Sequence, residues 1–269
     1  MSRLVRAELV KLRTVWSTWV ILIIAVAFTL PGGLLVGFAP HNNGIRHLIF
    51  PTEGTRAWFD LVLSTMDVVL DLALILGILM VTGEYRHKTV TPTFLYEPRR
   101  GRVAAAKLFA AAGAAVAVAV AGGVAGLLLG FGLVASGHGN IAEMLGAFGH
   151  VFPGVLFATV LFGVYGLGLG AIMKNQVAAL VTGLGASAVI EPLVASTVPA
   201  VGRWLPGEAA QALESVTAHA IKGGHGGGFL TGITGLKLVT WWEGALALLI
   251  YGLVFVIAGS LTTLRSDVT

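Results

Sequence analysis

The stretch "LVLSTMDVVLDLALILGILMVT", residues 61–82, is almost entirely apolar and ends just before a charged segment at residues 84–102. A helix needs about 20 mostly apolar residues to cross the hydrocarbon core of a lipid bilayer. Because this stretch reaches that length, we predict that it forms a membrane-spanning helix.

The composition of the whole chain agrees with a membrane protein. Of its 269 residues, 56% are hydrophobic and only 11% are charged, whereas charged residues make up about 25% of a typical soluble domain. A soluble fold of this length would need more polar surface to cover its core. The chain contains no cysteine, which excludes disulfide bonds and thiolate metal sites. We therefore expect an all-α integral membrane protein.

Apolar runs on both sides of this stretch bring the number of predicted spans to six. We place the transmembrane helices at about residues 16–38, 61–82, 105–135, 152–173, 177–198 and 241–264, in a single domain covering residues 1–269. The third run is too long for one perpendicular crossing, so either its start lies in the interface or the helix tilts. The first run continues well past the cleavage-like box "AVA" at residues 25–27, so we predict a retained helix and not a cleaved signal peptide.

The distribution of lysine and arginine predicts the orientation of these spans. Cytoplasmic loops carry an excess of basic residues. Here the basic residues concentrate before the first span and between the second and third, at Arg3, Arg6, Lys11, Arg13, Arg86, Lys88, Arg99, Arg100, Arg102 and Lys107. We predict that both termini are cytoplasmic. The pI of about 9.6 follows from this topology, and we expect no nucleic-acid partner.

Two segments outside the spans have the pattern of amphipathic helices. Before the first span, Val5, Leu9 and Leu12 recur at helical spacing among charged residues, which is typical of a helix in the cytoplasmic interface. The alternative is a charged lead-in to the first span. Between the fifth and sixth spans, Pro206 and Glu208 suit the first turn of a short outer helix.

Three carboxylates fall inside predicted spans. Asp67 and Asp71 are four residues apart in the second span and share one face, and Glu191 precedes Pro192 in the fifth. A carboxylate at the bilayer centre costs roughly 2.5–3.5 kcal/mol on insertion scales, so it should face protein or water. We expect either a polar translocation path or buried hydrogen bonds to neighbouring helices.

Glycines recur at four-residue spacing in two spans. The third span has Gly122, Gly126 and Gly130, and the fourth has Gly166 and Gly170. Small residues at this spacing let membrane helices approach closely. Two interpretations stay open, namely packing inside one chain and an interface between subunits.

Catalytic motifs are absent from the sequence. It has no G-x-x-x-x-G-K-[ST] nucleotide loop, no H-E-x-x-H and no G-x-S-x-G, which are the motifs of P-loop ATPases, metalloproteases and serine hydrolases. The seven histidines are scattered, and the two that fall close together, His41 and His47, have no acidic neighbours at ligand spacing. We predict that the chain is not an enzyme and binds no metal or cofactor.

The charged segment at residues 84–102 has a pattern of its own. Thr91 can cap a short helix that has Pro92 in its first turn, and Pro98 would end that helix. Apolar Val90, Phe94 and Leu95 lie among charged residues. A short helix of this kind fits a docking surface on the cytoplasmic side, and the alternative is a hairpin bound to lipid headgroups.

This segment resembles a known family. "GEYRHKTVTPTFLYEPRRGRVAAAKL", residues 83–108, is similar to the cytoplasmic loop of the permeases of ATP-binding cassette (ABC) type-2 transporters. "ELVKLRT" at residues 8–14, and "EPLV" and "RWLPG" at residues 191–194 and 203–207, agree with it. A minor departure is Val15-Trp16, where the family commonly has a basic or small residue.

The resemblance implies a half-transporter in a bacterial plasma membrane. Two such chains, more often identical than different, would each rest on a cytoplasmic ATPase subunit that uses the ATP. A coupling helix at residues 90–96 would enter a cleft of that subunit, and the family exports varied substrates, so the substrate does not carry over. The implied coupling residues are Glu84, Tyr85, Arg86, Thr89, Val90, Thr91, Pro92, Phe94, Leu95, Arg99 and Arg100.

A stand-alone transporter or channel, driven by an ion gradient through Asp67, Asp71 and Glu191, is the main alternative. Such proteins often contain internal repeats, and the polar loop after the second span has no counterpart later in the sequence. A membrane anchor or resistance factor without transport activity is a third possibility.

Overall fold

A computed structural model describes residues 2–37, 51–89, 99–214 and 239–265 of this chain. These ranges are helical throughout, joined by short turns, and they contain no β-strand. Within them, six helices are long and apolar enough to cross a membrane. The protein is therefore an all-helical, multi-pass membrane protein.

The helices follow one another in a simple order. The first part of the chain forms α1 (Ser2–Thr14), α2 (Trp16–Gly37), α3 (Arg56–Leu63), a 3₁₀ turn (Ser64–Asp67) and α4 (Val68–Arg86). Two long helices come next, α5 (Arg100–Ala135) and α6 (Ile141–Met173). The last part forms α7 (Gln176–Gly185), a π-helical segment (Ala186–Ile190), α8 (Glu191–Thr197), α9 (Pro199–Gly202), α10 (Pro206–Glu214) and α11 (Trp241–Arg265).

Two spans begin earlier than the hydropathy pattern predicts. The second includes α3, where the Thr55 hydroxyl accepts a hydrogen bond from the Trp58 amide at 3.4 Å. The fourth begins at Ile141, where the side-chain oxygen of Asn140 accepts one from the Glu143 amide at 2.9 Å. Such caps satisfy amides that have no partner in the first helical turn. The capping side chains of Thr55 and Asn140 therefore determine where these two helices begin.

The fifth span is irregular in its middle. It widens into the π-helical segment before Glu191, and Pro192 follows in the first turn of α8. Proline has no amide hydrogen and its ring displaces the carbonyl one turn earlier, so a regular α-helix cannot continue through it. Single π-helical turns are a common local solution inside longer helices.

Helices α4 and α6 form the centre of the bundle. A side chain at Gly166 would collide with the carbonyl oxygen of Leu74, and one at Gly170 would come within 2.9 Å of the carbonyl oxygen of Ile78. Gly77 on α4 faces the backbone of Gly163 in the same way. Because these positions lack side chains, the two backbones lie in direct contact.

The alternating direction of the spans gives the bundle two distinct ends. One, which we call the α1 end, contains α1, the end of α4, the start of α5 and the link between α6 and α7. At the opposite end the link before α3 crosses the link before α6, where Gly54 and Gly139 touch and both have positive φ angles of 76° and 97°. Glycine adopts such angles without a steric penalty.

Candidate functional site

Four charged side chains meet at the α1 end, and we call them the ionic cluster: Glu8, Lys11, Glu84 and Lys107. The Lys107 ammonium lies 2.6 Å from Glu84 Oε1 and 3.4 Å from both carboxylate oxygens of Glu8. The Lys11 ammonium lies 2.9 Å from Glu8 Oε1 and 2.9 Å from Glu84 Oε1. Each ammonium therefore bridges both carboxylates.

Much of the ionic cluster is shielded from solvent. Only 7% of the surface of Glu8 and 8% of that of Lys107 is exposed. Burial lowers the pKa of Lys11, but its hydrogen bonds to Glu8 and Glu84 outweigh that effect, and the net result is a raised pKa. Lys11 therefore stays protonated at neutral pH. Removing one member of a buried ion pair leaves an uncompensated charge, which typically costs 3–5 kcal/mol.

The ionic cluster joins three helices around the segment at residues 84–102. Glu84 is on the last turn of α4, Lys107 is on the second turn of α5, and the other two members are on α1. Arg86 extends the connection to α7 by donating a hydrogen bond of 3.2 Å to the side chain of Gln176. The flanks of the segment are thus held to each other and to α1.

The structure places the predicted coupling residues as follows. Glu84, Tyr85 and Arg86 end α4, and the Thr89 amide donates to the carbonyl oxygen of Glu84 at 2.9 Å. The Tyr85 ring lies 6.0 Å from the ammonium of Lys174. Arg99 is exposed immediately before α5, which begins at Arg100. The remaining predicted residues, Val90, Thr91, Pro92, Phe94 and Leu95, lie outside the described part of the chain.

The predicted intramembrane carboxylates lie toward the opposite end. Asp71 accepts a hydrogen bond from the Ser187 hydroxyl at 3.3 Å. Glu191 is buried, and its Oε2 accepts the Gly207 amide at 2.5 Å, at the N-terminus of α10. Asp71 and Glu191 are close enough to interact electrostatically, whereas Asp67 lies one helical turn away, at the end of the 3₁₀ turn.

The predicted packing glycines are all in contact with other residues of the same chain. Added side chains at Gly122, Gly126 and Gly130 would collide with Val69, Met66 and Met144, respectively. The other two, Gly166 and Gly170, face the α4 backbone as described above. These contacts favour packing inside one chain over a subunit interface at these positions.

Three functional candidates are missing from the sequence prediction, although a signal for them exists. Glu8 falls on the same helical stripe as Val5, Leu9 and Leu12, and Lys107 shares a face with buried Val103 and Ala110. A charge on an apolar stripe indicates a buried partner. The sequence places Glu208 only at a helix start, yet just 2% of its surface is exposed, and burial together with nearby Glu191 raises its pKa to about 7.

Among the described residues, no group of three or more histidine, aspartate or glutamate side chains is arranged to hold a metal ion. Neither a protein-family model nor a curated protein matches this chain. The ionic cluster and the membrane carboxylates are therefore the features of this chain that bear on its function.

Proposed function

We propose that this chain is the membrane-spanning permease subunit of an ATP-driven ABC exporter of the type-2 family. The observation that carries the proposal is the ionic cluster, in which Lys107 joins Glu84 across the two flanks of residues 84–102 and ties both flanks to Glu8 on α1. ATP would be hydrolysed by a separate cytoplasmic subunit, since this sequence has no P-loop. A second permease chain, most simply an identical one, would complete the translocation path.

The ionic cluster supports this role for a mechanical reason. A partner that pushes on a loop moves the membrane helices only if the flanks of the loop are rigid. Here a displacement of either flank would stretch buried charge–charge contacts, so α1, α4 and α5 would move together. A hairpin that only binds lipid headgroups has no need of such a connection.

The orientation follows from the charges at the two ends. Most of the basic residues belong to the α1 end, while the described ranges place Arg56 and Arg203 at the other end. We therefore assign the α1 end to the cytoplasmic side, and the resemblance to the type-2 family implies a bacterial plasma membrane. In this orientation α1 lies along the cytoplasmic interface as an amphipathic helix, and α10 lies on the outer side.

Substitution of Phe94 tests the coupling role. Burial of a phenylalanine against a partner contributes roughly 1.5–3 kcal/mol, so Phe94→Asp should lower co-purification of the ATPase subunit and ATP-dependent export at least tenfold. Phe94→Leu is the matched control and should retain most of both activities. If Phe94→Asp is expressed at the wild-type level and both measurements are unchanged, the segment does not couple to an ATPase.

Transport driven by an ion gradient is the second candidate, and the proximity of Asp71 to Glu191 favours it. Two carboxylates within electrostatic range of each other can serve as a proton relay in a membrane. Asp71→Leu would then abolish transport, and dissipating the proton gradient at constant ATP would stop it in the wild type. Under the exporter proposal, transport survives loss of the gradient and stops when ATP is depleted.

A further inference from the structure

A half-open groove of about 540 Å³ lies between α1 and α4 at the α1 end. Clefts that hold small molecules usually enclose about 300–1,000 Å³, with mostly apolar walls and a few polar groups. No side chain of the described residues fills this groove. Its size is therefore that of a ligand site.

The walls of the groove change from polar to apolar along their length. On the α4 side, Leu76, Leu79 and Met80 lead toward Arg86, and on the other side Leu12 and Val15 lie next to the ionic cluster. The apolar part faces the bilayer interior, since α4 crosses the membrane and ends at Arg86. A ligand that fills the groove must itself have a polar end and an apolar end.

The charges around the groove indicate that the polar end of the ligand is negative. In the ionic cluster two lysines neutralise two glutamates. Arg86 also lines the groove, and within the described ranges its guanidinium bonds to the neutral side chain of Gln176 and pairs with no acid. Among the described residues, no carboxylate thus neutralises the positive charge of Arg86 in the groove. Basic pockets between helices at a membrane surface are typical sites for anionic lipid headgroups.

We propose that this groove binds one anionic glycerophospholipid. The phosphodiester accepts hydrogen bonds from Arg86, and an acyl chain lies along Leu76, Leu79 and Met80. The lipid would then fill the space beside the ionic cluster and link α1 to α4. This proposal requires only that the α1 end lies at a membrane surface, and it does not depend on transport or on an ATPase.

Lipid titration of the purified full-length chain in detergent micelles tests the proposal. Native mass spectrometry would compare dioleoyl-phosphatidylglycerol with dioleoyl-phosphatidylcholine, which have the same acyl chains. We expect wild-type protein to bind one phosphatidylglycerol about fivefold more tightly, and Arg86→Gln to remove this preference, from the usual contribution of one basic residue near an anionic surface. Arg13→Gln is the matched control, because Arg13 is an exposed cation at the same end that does not line the groove.

Equal affinities of the wild type for the two lipids, or equal losses in Arg86→Gln and Arg13→Gln, would overturn the proposal in favour of diffuse surface attraction.

Discussion

At the scale of single residues, the ionic cluster explains why two ordinary-looking charges in the sequence are buried. Glu8 and Lys107 lie far apart in the chain, and each stands on an otherwise apolar helix face. Hydropathy analysis averages over windows and ignores pairing, so it predicts a buried partner for neither of them. Only the tertiary contact shows that their charges compensate each other.

Substitution of Lys107 should therefore be costly. Lys107→Met leaves Glu8 and Glu84 with Lys11 as their remaining partner, and we expect the free energy of unfolding to fall by about 3–5 kcal/mol. Thermal denaturation in detergent would measure the change, with exposed Arg13→Met as a control that should stay within about 0.5 kcal/mol. The double variant Lys107→Met/Glu84→Gln should recover part of the loss. A Lys107→Met protein as stable as the control would show that the cluster contributes no stability.

Glu208 gives a prediction about pH. Its pKa is raised to about 7, above the ordinary 4.5, by burial and by Glu191, so the folded protein binds more protons at this site than the unfolded chain between these values. Its contribution to stability is therefore present below about pH 4.5 and is lost as the pH rises through 7. Glu208→Gln should reduce the difference in melting temperature between pH 5 and pH 8 by roughly 5 °C. An unchanged pH profile would contradict this.

At the scale of elements, the contact between α4 and α6 depends on the absence of side chains. Gly166→Ala would place a methyl group against the Leu74 carbonyl oxygen and force the two helices apart. Overpacking of this kind costs about 1–3 kcal/mol. Gly149→Ala is a control on the same helix, since nothing lies within 4 Å of the added carbon. It should be neutral or stabilising, so equal destabilisation by both variants would exclude packing as the cause.

The positions of the spans could be predicted from sequence, whereas several details of the elements could not. Length and hydropathy suffice for the six spans, because a bilayer imposes both. They do not predict the early starts at Arg56 and Ile141, which follow from the hydrogen-bonding side chains of Thr55 and Asn140. The π-helical segment before Glu191 is also missing from the prediction, since Pro192 indicates a disturbance without specifying its form.

At the scale of the whole molecule, the exposed surface is apolar over several helices. On α7, Val177 and Val181 are exposed, and Val189 and Leu193 continue this surface toward the opposite end. In water such a surface would promote aggregation. Lipid or a second copy of the chain must cover it, and the proposed homodimer would use part of it.

Reporter fusions would test the topology of the whole chain. The concentration of basic residues at the α1 end predicts that fusions after residues 90 and 269 stay in the cytoplasm, while fusions after residues 45 and 225 are exported. Alkaline phosphatase is a suitable reporter because it is active only when exported. Phosphatase activity after residue 90, or its absence after residue 45, would contradict both the orientation and the exporter proposal.

The ionic cluster also has a consequence for biosynthesis. The ribosome adds Lys107 to the chain 99 residues after Glu8. At roughly 5–20 residues per second, this separation corresponds to about 5–20 s. During that interval Glu8 has only Lys11, three residues away, as a partner within the cluster. The nascent α1 therefore lacks its contact with α5 until that helix has been made, and a ribosome stalled before residue 107 should leave α1 more accessible to protease than it is in the complete chain.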